Sequence, residues 1–226
     1  MLLIALVVVI VLLGLGGAPA RRPAVAIKRD PPAHHAARPT TVVAGTPAPA
    51  PGSLPQTHAY PSGASAQFRL LMADLWSGVV GDSVTRALPA FFPQGAYVQL
   101  KAISAAGADW TNRLVRDYRL DIGAAHALLG SGARHAQLLT VNVVASYGHW
   151  IAPGACYNSI GYYEMPNARV VYREAGQTRS FGIASMISWR GVWYVVHFGA
   201  ILRATDTGAV DDPAGGAGTS LYSGTC

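Results

Sequence analysis

The stretch Ile183-Ala184-Ser185-Met186-Ile187-Ser188-Trp189-Arg190-Gly191-Val192-Trp193-Tyr194-Val195-Val196-His197-Phe198 decides the fold of this chain. Apolar and small residues alternate on both sides of an Arg-Gly pair, which is the pattern of a β-hairpin closed by a two-residue loop. Such a loop pairs Trp189 with Val192, Ile187 with Tyr194, Ser185 with Val196 and Ile183 with Phe198 on one side. That side is almost wholly apolar and is where helices are expected to pack. The other side receives Met186 with Val195, Ser188 with Trp193 and Ala184 with His197. A sheet covered on one face only leaves Met186, Trp193 and Val195 open to a partner or a second copy, with His197 beside them as a surface histidine.

Working outward, a period of two continues through residues 138–147, 168–173 and 178–189, with a further turn at Ala175-Gly176. Before Gly130 the period is helical. Phe68, Leu71, Met72, Leu75, Trp76 and Val79 form one stripe of a helix that starts near Ser65 and stops at Gly81. Asp82 is the expected cap of a short second helix through Leu88. Asp109 is the expected cap of a third, whose face is Trp110, Leu114, Tyr118, Ile122, Ala125 and Leu129, with Gly130 as its stop. Helices followed by an antiparallel meander define an α+β body with helices on one face of a curved sheet.

The body, residues 63–204, is preceded by two segments of different composition and followed by a glycine-rich tail, 205–226. Residues 1–17 open with an uncharged apolar run, too short for the ~20 residues of a full membrane span. It fits either a signal-peptide core, with Ala18-Pro19-Ala20 as a small-x-small cleavage pattern, or a short membrane anchor. No basic residue precedes the run, while Arg21, Arg22, Lys28 and Arg29 follow it. The positive-inside rule alone places the body in the cytoplasm, against the exported reading adopted here. Residues 18–62 hold ten of the fifteen prolines, so this segment is expected to be a disordered, extended spacer. His34 and His35 within it have no Cys or carboxylate cluster beside them and read as solvated linker residues. No cofactor or metal is expected.

The net charge of +6 divides unevenly. Five basic residues against Asp30 precede Ser62, whereas the rest of the chain carries 12 basic against 10 acidic residues. A nucleic-acid binder concentrates basic charge on its folded face, so this class is excluded; basic residues beside an apolar segment suit anionic lipid headgroups. Cys156 and Cys226, the two cysteines, read as one disulfide in an oxidising compartment and as two thiols in the cytosol. Between His149 and Pro166, Trp150, Tyr157, Tyr162 and Tyr163 sit among Gly, Pro and Asn. This long connection reads either as a recognition loop or as an aromatic-anchored cover for one end of the sheet.

Over residues 65–202, the element order and the Trp-rich hairpin resemble the nuclear-transport-factor-2-like fold, a cone with an inner cavity. The whole layout resembles actinobacterial envelope proteins in which such a module follows one N-terminal membrane segment, as in Mce-associated and conjugative-transfer proteins, and Arg outnumbers Lys by 15 to 2, as in GC-rich genomes. That resemblance implies a non-enzymatic assembly or interaction part outside the plasma membrane, anchored or secreted, meeting an envelope partner or a second copy. The fold is also similar to that of ketosteroid isomerase and scytalone dehydratase, which implies an alternative: a pocket that binds a small apolar ligand or moves protons. For that chemistry the candidates are Asp117, Asp121 and His126, with Tyr118 and Tyr194 facing inward, but Arg113, Arg116 and Arg119 make exposed ion pairs the plainer reading of the two carboxylates. No catalytic residue is assigned.

Overall fold

Helix α1, Ala66–Val80, begins where the sequence places it, with the Ser65 hydroxyl accepting from the Phe68 N–H at 3.1 Å and the expected stripe turned into the core. The computed structural model describes residues 48–199, 201 and 206–222. The apolar run, most of the spacer and Cys226 lie outside them, and with them the leader, His34, His35 and the Cys156–Cys226 pairing. Among the described residues no helix is long and apolar enough to cross a membrane.

The second helix departs from expectation at its cap. Asp82 has a left-handed φ of 45°, and Ser83 instead caps α2, Val84–Ala87, by accepting from the Arg86 N–H. A 3₁₀ turn, Leu88–Ala90, follows, and α3, Gln94–Leu100, starts directly after Pro93, a helix the sequence pattern missed. The third expected helix is longer than its cap implied. One helical run of 30 residues joins α4 (Ala106–Asp109), a π-helical turn (Trp110–Leu114), α5 (Val115–Leu129) and a 3₁₀ turn (Gly130–His135). Asp109 is therefore inside the run. Its carboxylate binds the Tyr97 hydroxyl and the Arg113 guanidinium rather than a free backbone N–H.

Six antiparallel strands form one open sheet: β1 (Gln137–Asn142), β2 (His149–Ile151), β3 (Tyr162–Glu174), β4 (Gln177–Trp189), β5 (Val192–His197) and β6 (Asp211–Gly215). The long β3–β4 hairpin is its spine. β1 and β2 pair with successive parts of β3, and β6 and β5 with successive parts of β4. Ala175-Gly176 and Arg190-Gly191 both take positive φ at both positions, the type I′ geometry that matches strand twist. Two expected segments change character here. The 149–166 connection is partly strand, supplying β2 and the start of β3 on either side of a 3₁₀ turn at Ala155–Tyr157, and the tail beyond residue 204 supplies β6.

Near the turn the hairpin register is the expected one, with Trp189 opposite Val192, Ser188 opposite Trp193, Ile187 opposite Tyr194 and Met186 opposite Val195. Beyond Met186 a β-bulge intervenes, so Ser185 pairs with His197, and the expected Ser185–Val196 and Ala184–His197 pairs do not form. The bulge lies where Phe92 donates to the Val195 carbonyl at 2.8 Å and Phe91 bridges Val195, closing the outer edge of β5. One extra residue moves His197 to the face that carries Ser185 and Ile187.

The expected open face is closed. Met186, Trp193 and Val195 are each 0% exposed. Residues 55–60, expected as spacer, lie across this side. Gln56 donates to the Ser188 carbonyl at 2.9 Å and accepts from the Arg190 N–H, Arg190 reaches the Pro55 carbonyl, and Tyr60 sets its ring edge-on to Trp193 at 5.8 Å. On the other side Phe92 meets both Trp189 and Tyr194 edge-on, and Trp76 packs against Tyr172. The order that sequence composition denied to this segment comes from an aromatic ring and hydrogen bonds between side chains and backbone, which need few residues.

Candidate functional site

Two concavities stand out, and they share no lining residue. The first is a partly open cavity of about 140 Å³ bounded by α3, the π-helical turn and one face of the sheet. α3 supplies Tyr97 and Leu100, with Lys101 just after it; the π-helical turn supplies Arg113 and Leu114; β3 and β4 supply Tyr162, Glu164, Ser185 and Ile187; the bulge supplies Val196 and His197.

The polar groups are fixed by specific bonds. Arg113 holds Asp109 through Nε at 2.8 Å and an Nη at 2.7 Å, and the same Nη reaches the Tyr97 hydroxyl, which donates to Asp109 at 2.5 Å. Asp109 is pushed below the usual carboxylate range by the Arg113 hydrogen bonds. Lys101 donates to the Cys156 carbonyl at 3.1 Å; burial, then the nearby Arg113 charge, push its ammonium below the ordinary lysine value. Glu164 is 4% exposed. Its Oε1 accepts from Ser185 at 3.0 Å, while Oε2 lies 3.6 Å from His149 Nε2, ion-pair range but too long for a hydrogen bond, and accepts none. Tyr162 accepts from Asn158 at 3.1 Å and is pushed up to about 12, mainly by burial and then by Glu164.

These tyrosines give a pH prediction with a definite sign. Tyr97 and Tyr118 are raised, as Tyr162 is, with burial the largest cause for each. A raised folded value means stability fully present below the unfolded tyrosine value of about 10 and lost as pH climbs from there toward 12. Tyrosinate absorbance should therefore lag behind that of a denatured control and then rise together with loss of near-ultraviolet ellipticity. A smooth titration at the free-tyrosine value with the fold intact would contradict it.

The second concavity is an external groove of about 710 Å³, lined by Leu70, Pro89, Phe91, Pro93, Trp110 and Tyr194, with Gln67, Asp74 and Gln94 at its rim. Leu70 stands 64% exposed on α1. The aromatic residues expected as one recognition loop are dispersed. Trp150 and Tyr163 cluster with His58, whose ring lies 3.9 Å from Trp150 and whose Nδ1 meets the Tyr163 hydroxyl at 3.2 Å. Tyr157 is 78% exposed in a turn where it and Cys156 both have left-handed φ, and Tyr162 is inside the cavity. Of the expected binding residues Met186, Trp193, Val195 and His197, the first three are core and His197 lines the cavity.

The helical candidates are placed elsewhere. Asp121 is buried and accepts from the Gly199 and Ala209 N–H groups at 2.9 and 3.0 Å, and Asp117 lies 3.5 Å from Arg116. His126 Nδ1 is 3.0 Å from the Val79 carbonyl, and Tyr118 stacks on Phe91 at 3.7 Å. None of them lines the cavity. Glu164, Lys101 and Ser185 were missed, although two carried a signal. Glu164 is the single acidic residue between Asp121 and Glu174, and Lys101 is the single lysine after Lys28 in an arginine-rich chain. Among the described residues no cluster of His, Cys and carboxylates could hold a metal. No family model, curated protein or solved structure matches this chain.

Proposed function

We propose that this chain is a non-enzymatic interaction or assembly module of a bacterial cell envelope, delivered by its N-terminal segment to the outer side of the plasma membrane. The observation that carries the reading is the external groove, an apolar concavity several times larger than the partly open cavity and flanked by an exposed leucine. Helices followed by an antiparallel sheet, with the Trp189 to Trp193 hairpin at its end, support the finer reading of a nuclear-transport-factor-2-like cone. The groove suits an apolar segment of an envelope protein, with Trp110 and Tyr194 as rigid aromatic anchors. In this reading Cys156 and Cys226 are bridged, as an oxidising compartment favours.

The test uses the full chain in its membrane. A photo-crosslinker at position 70 should give one discrete adduct, and Leu70→Asp should weaken that capture about tenfold or more while changing the stability of the fold by no more than about 0.5 kcal/mol. Thiol reagents should label the protein only after reduction. A position-70 crosslinker that captures nothing, or thiols that label without reductant, would remove the reading.

A further inference from the structure

We propose that the partly open cavity binds a small amino acid or hydroxy acid, whose carboxylate is held by Lys101 and whose amino or hydroxyl group donates to Glu164. The chemistry of the two ends requires a ligand with two different ends. Glu164 is 4% exposed, Ser185 fixes one of its oxygens, and the other, 3.6 Å from His149 Nε2, accepts no hydrogen bond. A buried carboxylate oxygen in that position is costly unless a donor meets it. At the other end Lys101 has three N–H groups and gives one to the Cys156 carbonyl, while Arg113 is committed to Asp109 and Tyr97. Lys101 is thus a cation available for an anionic oxygen, with two N–H groups uncommitted. The Tyr162 hydroxyl, which accepts from Asn158, keeps its own proton to donate.

Size narrows the class further. A cavity of about 140 Å³ is close to the volume that takes one six-membered ring, so the ligand has about six to eight non-hydrogen atoms. Leu100, Leu114, Ile187 and Val196 line the same space and suit a short apolar or hydroxymethyl side chain. This differs from the apolar ligand that the fold resemblance implied: a desolvated carboxylate and an ammonium facing one small space reject a hydrocarbon. The inference goes beyond the groove reading and does not rest on it.

Calorimetric titration of the full chain with L-serine, L-alanine and L-lactate, against acetate, methylamine and phenol, tests the proposal. The two-ended probes should bind at least about tenfold more tightly than acetate or methylamine, with phenol silent. Glu164→Gln and Lys101→Met should each weaken L-serine binding by about tenfold or more, with a substitution of the exposed Leu139, Leu139→Ser, as an unaffected control. Because a cavity variant can fail to fold, the carboxyl carbon resonance of Glu164 in the unsubstituted protein is followed as well. It should move on adding L-serine and stay fixed on adding phenol. No heat and no resonance shift with any two-ended probe, or binding of phenol alone, would overturn the proposal and leave the groove reading untouched.

Discussion

Replacing Trp193 by alanine should lower the stability of the body by about 3–5 kcal/mol, and Trp193→Asp should abolish cooperative folding. The side chain is fully buried, edge-on to Tyr60, and flanked in the sheet by Met186 and Val195. Alanine leaves an aromatic-sized void that a sheet cannot collapse to fill, and aspartate adds an uncompensated charge to it. A loss of that size is a large part of the ~5–15 kcal/mol that holds an ordinary domain together. Trp193→Phe should lose far less, since it keeps a ring and removes an Nε1–H that donates no hydrogen bond among the described residues. Denaturant midpoints for the three variants measure this directly. An unshifted midpoint for the alanine variant would show that Trp193 lies on an open face after all.

That residue also shows where reading the chain in sequence order reaches its end. Alternation around Arg190-Gly191 identified both strands, their turn and the partner of every residue as far as Met186, because a two-residue turn fixes register locally. What lies over a strand is not local. Trp193 is buried by Tyr60, a residue 133 positions earlier in a proline-rich stretch whose composition reads as spacer. The bulge at Val196 is equally non-local: it is stabilised by Phe92, which joins β5 from beyond α2, and it decides that His197 faces the cavity. Helix faces were legible wherever a stripe ran three turns or more, as in α1. Caps were less so, since Ser83 and Asp82 are both plausible caps by residue type and only the left-handed φ at Asp82 separates them. The cavity was the least legible part, because Lys101, Glu164 and Ser185 come from three elements and no short spacing relates them.

The second large effect is expected at Asp121, which the sequence presents as an exposed helix carboxylate and the structure buries to 1% exposure. Its two oxygens accept from the Gly199 and Ala209 N–H groups, so one side chain on α5 ties down the chain just after β5 and again just before β6. Glycines make the approach close enough: a Cβ on Gly199 would sit 1.9 Å from the Ala209 carbonyl oxygen, and one on Gly208 1.9 Å from the Leu120 carbonyl oxygen. Asp121→Ala takes the acceptor from one buried and one half-buried donor at once, for a loss of about 2–4 kcal/mol at 1.5–3 kcal/mol for a charged hydrogen bond and less where water enters. Asp121→Asn, which keeps an acceptor for one donor, should lose about half as much. Hydrogen exchange separates this mechanism from general destabilisation. β6 is also held by the buried Arg169, bonded to Asp212 and Ser180, and by its own pairing with β4, so the alanine variant should open the Gly199 and Ala209 amides first and leave the far end of β6, Ala214 and Gly215 opposite Ser180 and Arg179, protected. Uniform loss of protection along β3, β4 and β6 would mean that Asp121 stabilises the body as a whole and does not clasp one segment to α5.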